Sequence, residues 1–230
     1  MSHIADEQII KMPAPDPRYY FNVRPLSQSD MVVVREIWSE NVYEVFDGDL
    51  ADTGIVVDIG ANIGAFGLYA AKLGAKKVIF VEPEPHNLEL LRMNIADNSQ
   101  HSDCEFIVDE HGINDGKFNK AFINDNHGDS VVNYQKTMEN DQQPISMISL
   151  QQLFEVHNLE FIDILKLDIE GHEGNVICNA PESLMNLCRY ITLEYDQNAN
   201  DLGAIVEKLS QTHQIKYVGA HGGMLFAKRY

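Results

Sequence analysis

The sequence predicts an α/β domain built on a mostly parallel sheet, and three observations carry that expectation. Short apolar runs of strand type, IVVD at 55–58, VIFVE at 78–82, EFIVD at 105–109, FIDILKLD at 161–168 and YITLEY at 190–195, are spaced by helical patterns. None of the runs shows the polar alternation of a sheet with one wet face, so helices must cover both sides. Each run also ends at or beside a carboxylate, on the edge where open α/β sheets bind their ligands.

Taken in order, residues 1–29 hold Pro13, Pro15, Pro17 and Pro25, four of the eight prolines, and read as an irregular N-terminal arm. Residues 30–230 form the domain. Asp30 is the expected N-cap of a short helix, MVVVREIWSE, that ends near Asn41. After the first strand, Ile63 to Leu73 reads as a helix, and Pro85 opens another in which Leu88, Leu91 and Ile95 lay one apolar face on the sheet. Residues 110–148 are polar and rich in Asn, Asp and Gly, which predicts a hairpin-like insertion with short strands near Ala121 and Val131. A short helix then runs from Ser149 to His157. Asp201 to His213 carries Leu202, Ile205, Val206 and Leu209 on one side, and IKYVG and MLFAK, joined by AHGG, close the sheet with an antiparallel hairpin.

With 230 residues, 44% of them hydrophobic, the chain is long enough for one domain with its own core. Seventeen basic residues face 35 acidic ones, a formal charge of −18. A field of that sign repels phosphate backbones and anionic lipid, so neither nucleic acid nor membrane is expected as a partner. Cys104, Cys178 and Cys188 form no C-x-x-C pair and are odd in number, which argues for reduced thiols. No run reaches 18 apolar residues, and MSHIADEQII lacks the basic start of a secretion signal. A soluble, cytoplasmic protein is the expectation.

The chemistry concentrates at the strand ends. The first strand leads into Gly60-Ala61-Asn62-Ile63-Gly64-Ala65-Phe66-Gly67. A dinucleotide turn needs G-x-G-x-x-G so that backbone can approach a pyrophosphate, and here its second glycine falls on Asn62 and its third on Ala65. A ligand without phosphates fits better, with Asp58 and the turn amides holding an ammonium and a carboxylate. Glu82, 22 residues after Gly60, stands where a carboxylate accepts both hydroxyls of a ribose. An amino acid joined to a nucleoside describes S-adenosylmethionine. A nicotinamide-dependent oxidoreductase is the rival enzyme reading, and a binding module without catalysis is a third.

The segment LKLDIEGHEGN, 165–175, gives the catalytic candidates. In strand geometry Asp168 and Glu170 project to one side, and Gly171 permits a turn that brings His172 and Glu173 to the cleft. Methyl transfer to a hydroxyl needs alignment and removal of a proton, for which Asp168 or His172 is the base. Alternatively Asp168, Glu170 and Glu194 hold a divalent cation, though none is predicted. The competing reading has these acids cap the next helix; it is favoured for Glu173, while His172 stays open. The other histidines, such as His86, His127 and His221, have no ligand spacing and read as solvated loop residues; of these, His127 in the insertion NDNHGDS stands nearest to an acceptor role.

These residues resemble a known family. VVDIGANIGAFGLYAAKLGA, VIFVEPEPHNLELLRMNI, ISLQQLFE, FIDILKLDIEGHEGNVI and YITLEY follow the order and approximate spacing of the FkbM family, over about residues 36–196. The resemblance implies a Rossmann-like class I methyltransferase fold: a seven-stranded, mostly parallel sheet with an antiparallel last strand and helices on both faces. It implies S-adenosylmethionine as cofactor and O-methylation of a hydroxyl on a sugar or other small-molecule acceptor. Asp58, Gly60, Asn62, Gly64 and Glu82 match its cofactor motifs, with Ala61 and Pro83 inside them and Asp109 and Glu110 at the adenine end. Asp168 stands at both the cofactor and the acceptor. The sequence departs from the family at Gln151, where an Asp is common, and at DEHGIND after the third strand, where a small Ala-containing turn is common.

Overall fold

The computed structural model describes residues 9–25, 27–45, 50, 54–124, 131–133, 144–195, 202–218 and 223–230. The N-terminal arm is more regular than its prolines predict. Strands β1 (Ile10–Pro13) and β2 (Tyr20–Val23) pair antiparallel. The prolines sit at the end of β1 and in the connections, where a missing amide breaks no interior ladder. Helix α1 (Gln28–Arg35) follows, and Ser27 caps it by accepting from the Asp30 amide. Asp30 is therefore not the cap: it is wholly buried and takes the Arg24 guanidinium on both oxygens, at 2.9 and 2.6 Å. One wider turn, Glu36–Glu40, extends the helix and buries Ile37 and Trp38.

The sheet proper begins with β3 (Ile55–Ile59), helix α2 (Ala65–Lys72), β4 (Lys77–Val81), α3 (Pro85–Asn98) and β5 (Glu105–Asp109). The insertion contributes β6 (Gly112–Asn114), β7 (Lys120–Asn124), β8 (Val131–Asn133) and β9 (Pro144–Ser149), which form a separate four-stranded sheet ordered β6-β9-β7-β8. Helix α4 (Leu150–Val156) starts from a capping box of Ser149 and Gln152, so the departure at Gln151 leaves the helix start intact. Then come β10 (Ile162–Leu167), α5 (Glu173–Asn179), α6 (Glu182–Met185), β11 (Cys188–Tyr195), α7 (Leu202–Leu209), β12 (His213–Val218) and β13 (Gly223–Arg229).

The seven-stranded order is β12-β13-β11-β10-β3-β4-β5. Only β13 runs antiparallel to its neighbours, between β11 and β12. Chain direction across the sheet reverses between β3 and β10, the crevice where such folds bind ligands. Both faces carry a core. Val57, Leu165 and Leu193 pack toward α4, α5 and α7, while Val56, Phe80 and Ile164 pack toward α2, α3 and the N-terminal segment. Each such buried aliphatic side chain contributes roughly 1.5–3 kcal/mol of burial. The hairpin is tied to this second face by α3: Asn94 accepts from the Asn22 amide at 2.6 Å, and Asn98 bonds both main-chain groups of Tyr20.

The strand register also sets a polar row across the second face. Phe80, Asp58, Lys166, Thr192, Phe226 and Lys216 lie side by side on consecutive strands. All six residues of β10 are buried, including Lys166 and Asp163. Among the described residues, no helix is long and apolar enough to cross a membrane.

Candidate active site

The turn after β3 is held from both sides. Gly60 and Ala61 donate their amides to the Val81 carbonyl at 2.9 and 3.1 Å, which fastens the turn to β4. Gly60, Asn62 and Gly64 adopt left-handed conformations, with φ of +73°, 49° and +88°. A Cβ on Gly60 would lie 1.8 Å from the Asp168 carbonyl oxygen, so only glycine lets the turn press against the end of β10. Asparagine tolerates this backbone where most residues do not. Its amide donates to Glu82 Oε2 at 2.8 Å, and the Glu84 amide donates to Oε1 at 2.9 Å. Burial pushes the Glu82 carboxyl up to about 7, against those two hydrogen bonds. Pro83, half-buried, continues the same rim.

Asp58 lies beneath the turn. It is wholly buried, and its Oδ2 accepts from the Gly67 amide in the first turn of α2 at 3.1 Å. Its Oδ1 is 3.1 Å from Lys166 Nζ, an ionic contact outside good hydrogen-bond alignment. Lys166 donates to the Gly60 carbonyl at 2.7 Å and stands 3.5 Å from Asp168 Oδ2. Burial works against its charge, yet Asp58 and Asp168 together hold its pKa above the ordinary lysine value. Lys166 is thus the buried cation beneath the site, and the reading from sequence missed it. The available signal was a lysine inside the apolar run FIDILKLD.

Asp168 is the carboxylate at the mouth, with 28% of its side chain exposed. Tyr43, also missed, donates its hydroxyl to Asp168 Oδ2 at 2.8 Å. The Tyr43 ring is buried edge-on against Phe66, and burial followed by the Asp168 charge raises its hydroxyl well above the usual phenol range. The expectation that Asp168 and Glu170 share a strand face is corrected, because β10 ends at Leu167. Glu170 is exposed in a left-handed turn with φ of 55°, followed by Gly171 at +87°. His172, half-buried, immediately precedes α5. Glu173 is buried and accepts from the Ile169 amide at 2.6 Å, a tie that stiffens the loop, while burial pushes it up to about 7. Glu194 is exposed at the end of β11. The protein packed about its carboxylate, and then the charges of Asp168, Glu170 and Glu173, push it up to about 7. Among the described residues, no three His, Cys, Asp or Glu side chains gather as a cation site.

At the other end of the crevice, Asp109 is buried between two histidines. Its Oδ1 meets His111 Nδ1 at 2.6 Å and its Oδ2 meets His157 Nε2 at 2.7 Å. Burial opposes the charge, but these hydrogen bonds keep the carboxyl below its usual range. Glu110 is exposed and pairs with Arg92 of α3. Both acids therefore have protein partners, and His111 and His157 join the site through Asp109. His127 and His221 lie outside the described residues.

The residues fit S-adenosylmethionine. Asn62 Oδ1 is a buried acceptor with no hydrogen-bond partner, suited to an ammonium. The Glu82 carboxylate oxygens keep further lone pairs for ribose hydroxyls. The Gly60 turn leaves room that a side chain would fill.

Comparison with known proteins identifies the family and the fold. The family model for the methyltransferase FkbM domain matches residues 58–217. A search of curated proteins returns no match. Among solved structures, an rRNA methylase from Streptococcus thermophilus is similar, with TM-score 0.50, 12% identity, and 83% of this chain and 92% of that one covered. The T. thermophilus 16S rRNA N2 G1207 methyltransferase, solved with AdoMet and guanosine, gives TM-score 0.51 and 16% identity, covering 97% of this chain and 50% of its own. A putative SAM-dependent methyltransferase from Streptococcus mutans gives TM-score 0.51 and 12% identity, covering 96% of this chain and 55% of its own. At these identities the likeness shows the fold. It also corrects the exclusion of nucleic acid drawn from charge, because the same fold occurs in proteins named for rRNA. Net charge is a property of the whole surface, whereas an acceptor meets only the field at the cleft. With its family match running from Asp58 across the sheet and every strand end of the site, the chain belongs to the FkbM methyltransferase family and is a class I methyltransferase dependent on S-adenosylmethionine.

Proposed function

We propose that the chain transfers the methyl group of S-adenosylmethionine to a hydroxyl oxygen of a sugar or comparable small acceptor. The observation that carries this reading is Asp168, whose main-chain carbonyl abuts the Gly60 turn and whose carboxylate is partly exposed beside it. When bound, S-adenosylmethionine supplies an electrophilic methyl group on a sulfonium. The chain's own groups do the rest. Asn62 and Glu82 would hold the amino-acid and ribose ends, Asp109, Glu110 and Pro83 border the adenine end, and Asp58 acts from below by fixing the turn. Tyr43 and Lys166 both engage Oδ2 of Asp168, so Oδ1 is the oxygen that accepts a hydrogen bond from the acceptor hydroxyl. That bond aligns the hydroxyl oxygen, and the Asp168 carboxylate then takes the hydroxyl proton, which is the help methyl transfer requires. His172 is the second candidate base, while Glu170 and Glu194 add negative field at the same edge. Three free cysteines support a reducing, cytoplasmic setting.

The test is calorimetric titration with S-adenosylmethionine, followed by labelled methyl transfer to sugars, glycans, small phenols and RNA. Asp168→Ala should keep cofactor binding and lose about a hundredfold or more in turnover. Unchanged turnover removes Asp168 from the mechanism, and label taken up by RNA alone overturns the acceptor class.

A further inference from the structure

We propose that the acceptor enters a cavity on the sheet face beside Lys166, and that it is a hydroxylated ring carrying a phosphate or carboxylate. This rests on the methyl-transfer reading above and adds the acceptor's place and chemistry. The cavity, about 300 Å³, lies between the Tyr43–Val45 segment and strands β10, β11, β12 and β13. That is the small end of the range for ligand sites, roughly 300–1,000 Å³, and suits one ring with one substituent.

Its position follows from the register. Thr192, in its wall, lies beside Lys166, and Asp168 stands two residues after Lys166, just past the end of β10 and about 7 Å on at extended-chain spacing. Tyr43 lines the cavity and donates to Asp168 at 2.8 Å. One side chain therefore separates the cavity from the carboxylate at the cofactor turn.

Its chemistry follows from charge and hydrogen bonding. Lys216 at the cavity is paired with Glu44 at 2.6 Å. Lys228 is exposed and rests 5.3 Å from the centre of the Tyr190 ring, and among the described residues no carboxylate pairs with it. In a chain with 35 acidic and 17 basic residues, an exposed ammonium at a cavity wall with no carboxylate partner among the described residues favours an anionic ligand. Thr192 is 3% exposed, and its hydroxyl oxygen has no hydrogen-bond partner. A buried hydroxyl left without a partner is destabilising, and a ligand oxygen that completes the bond relieves it. Ile164, Phe226 and Val45 give the apolar wall for a ring.

The full chain is titrated with glucose 6-phosphate, ribose 5-phosphate, glucuronate, glucose and inorganic phosphate, with binding read by saturation-transfer NMR and S-adenosylmethionine measured separately. The anionic ring compounds should bind about tenfold or more tightly than glucose or phosphate alone. Hexose and ribose phosphates distinguish a glycan-type from a nucleotide-type source of the same chemistry. Lys228→Glu should weaken the anionic rings about tenfold and change the cofactor Kd less than twofold. Thr192→Val should weaken them severalfold without lowering the unfolding temperature, because it removes an unpartnered hydroxyl. Equal binding of glucose, or anionic binding unchanged in Lys228→Glu, overturns the assignment. Failure of the unaltered chain to bind S-adenosylmethionine overturns the underlying reading instead.

Discussion

Lys166→Met is the sharpest test of how the site is held together. Lys166 is 3% exposed and Asp58 is fully buried, so removing the ammonium leaves Asp58 with one aligned donor, the Gly67 amide at 3.1 Å. It also strips a donor from the Gly60 carbonyl and the nearest cation from Asp168. Removing one partner of a buried ion pair costs about 3–5 kcal/mol. With 230 residues at about 2.1 cal/mol/K each, the unfolding entropy is about 0.5 kcal/mol/K, which converts that loss to about 6–10 °C in Tm. Burial already holds the Asp58 carboxyl above 3.8 with Lys166 present. Without the ammonium its folded pKa rises further, so the variant favours the protonated acid and its deficit narrows as the pH is lowered toward 4. Asp58→Asn combined with Lys166→Met removes both charges and should recover most of the stability. Thermal and urea unfolding of the singles and the double measure this directly. A Lys166→Met cost below about 1 kcal/mol, or a double no more stable than the worse single, refutes the claim that the pair is a mutually dependent buried unit.

Three other outcomes are expected. Glu82 and Glu173 are both raised from 4.5 to about 7, so the folded state binds their protons more tightly; that stability is complete below about 4.5 and is lost as pH rises through 7. Each corresponds to roughly 3 kcal/mol at full effect, and urea unfolding should show less stability at pH 8 than at pH 5, with Glu82→Gln reducing the difference; a flat profile contradicts it. Gly60→Ala places a methyl 1.8 Å from the Asp168 carbonyl at φ +73° and should cost several kcal/mol with loss of cofactor binding, so a normal calorimetric titration would count against the turn geometry. Tyr43→Phe keeps the ring against Phe66 but loses the hydrogen bond to Asp168, which should lower kcat about tenfold while the cofactor Kd shifts less than twofold; an equal loss of turnover and of cofactor affinity would make Tyr43 a packing residue only.

What the sequence discloses is what repeats along it, and what it conceals is what meets through space. Val56, Val57, Ile164 and Leu165 announce buried strands because apolar residues follow one another without polar alternation. Gly60 and Glu82 are legible because the turn and the next strand end are close in sequence, 22 positions apart. Tyr43 meets Asp168 across 125 positions from an irregular segment, and no periodicity marks it. The N-terminal hairpin owes its order to Asn94 and Asn98, which stand 72 and 78 positions from their partners, so its prolines alone mislead. Asp30 has the right residue type for a cap, but the Arg24 guanidinium outcompetes a single helix amide for its oxygens. Glu170 reads as a strand residue only if β10 continues past Leu167, whereas the chain there leaves the strand and turns through left-handed Glu170 and Gly171.

The acids at the strand ends form two groups with different work. Asp58, Asp109 and Glu173 are buried and spent on protein partners: a lysine and the Gly67 amide, two histidines, and the Ile169 amide. Glu82 is buried but faces the turn, and Asp168 and Glu194 reach solvent at the mouth. Were all of these ionised without compensation, their mutual repulsion in a poorly hydrated crevice would open the loop that carries Asp168. Lys166 answers that from beneath, since Asp58, Asp168 and Glu82 all raise its pKa. Protonation answers it at the rim, where Glu82 and Glu194 sit near 7. A cationic methyl donor bound between them would favour the charged carboxylates, so the same acids that repel one another would attract a sulfonium. Lys166 has its place in a strand whose six residues are all buried, where it faces Asp58 and Asp168 together.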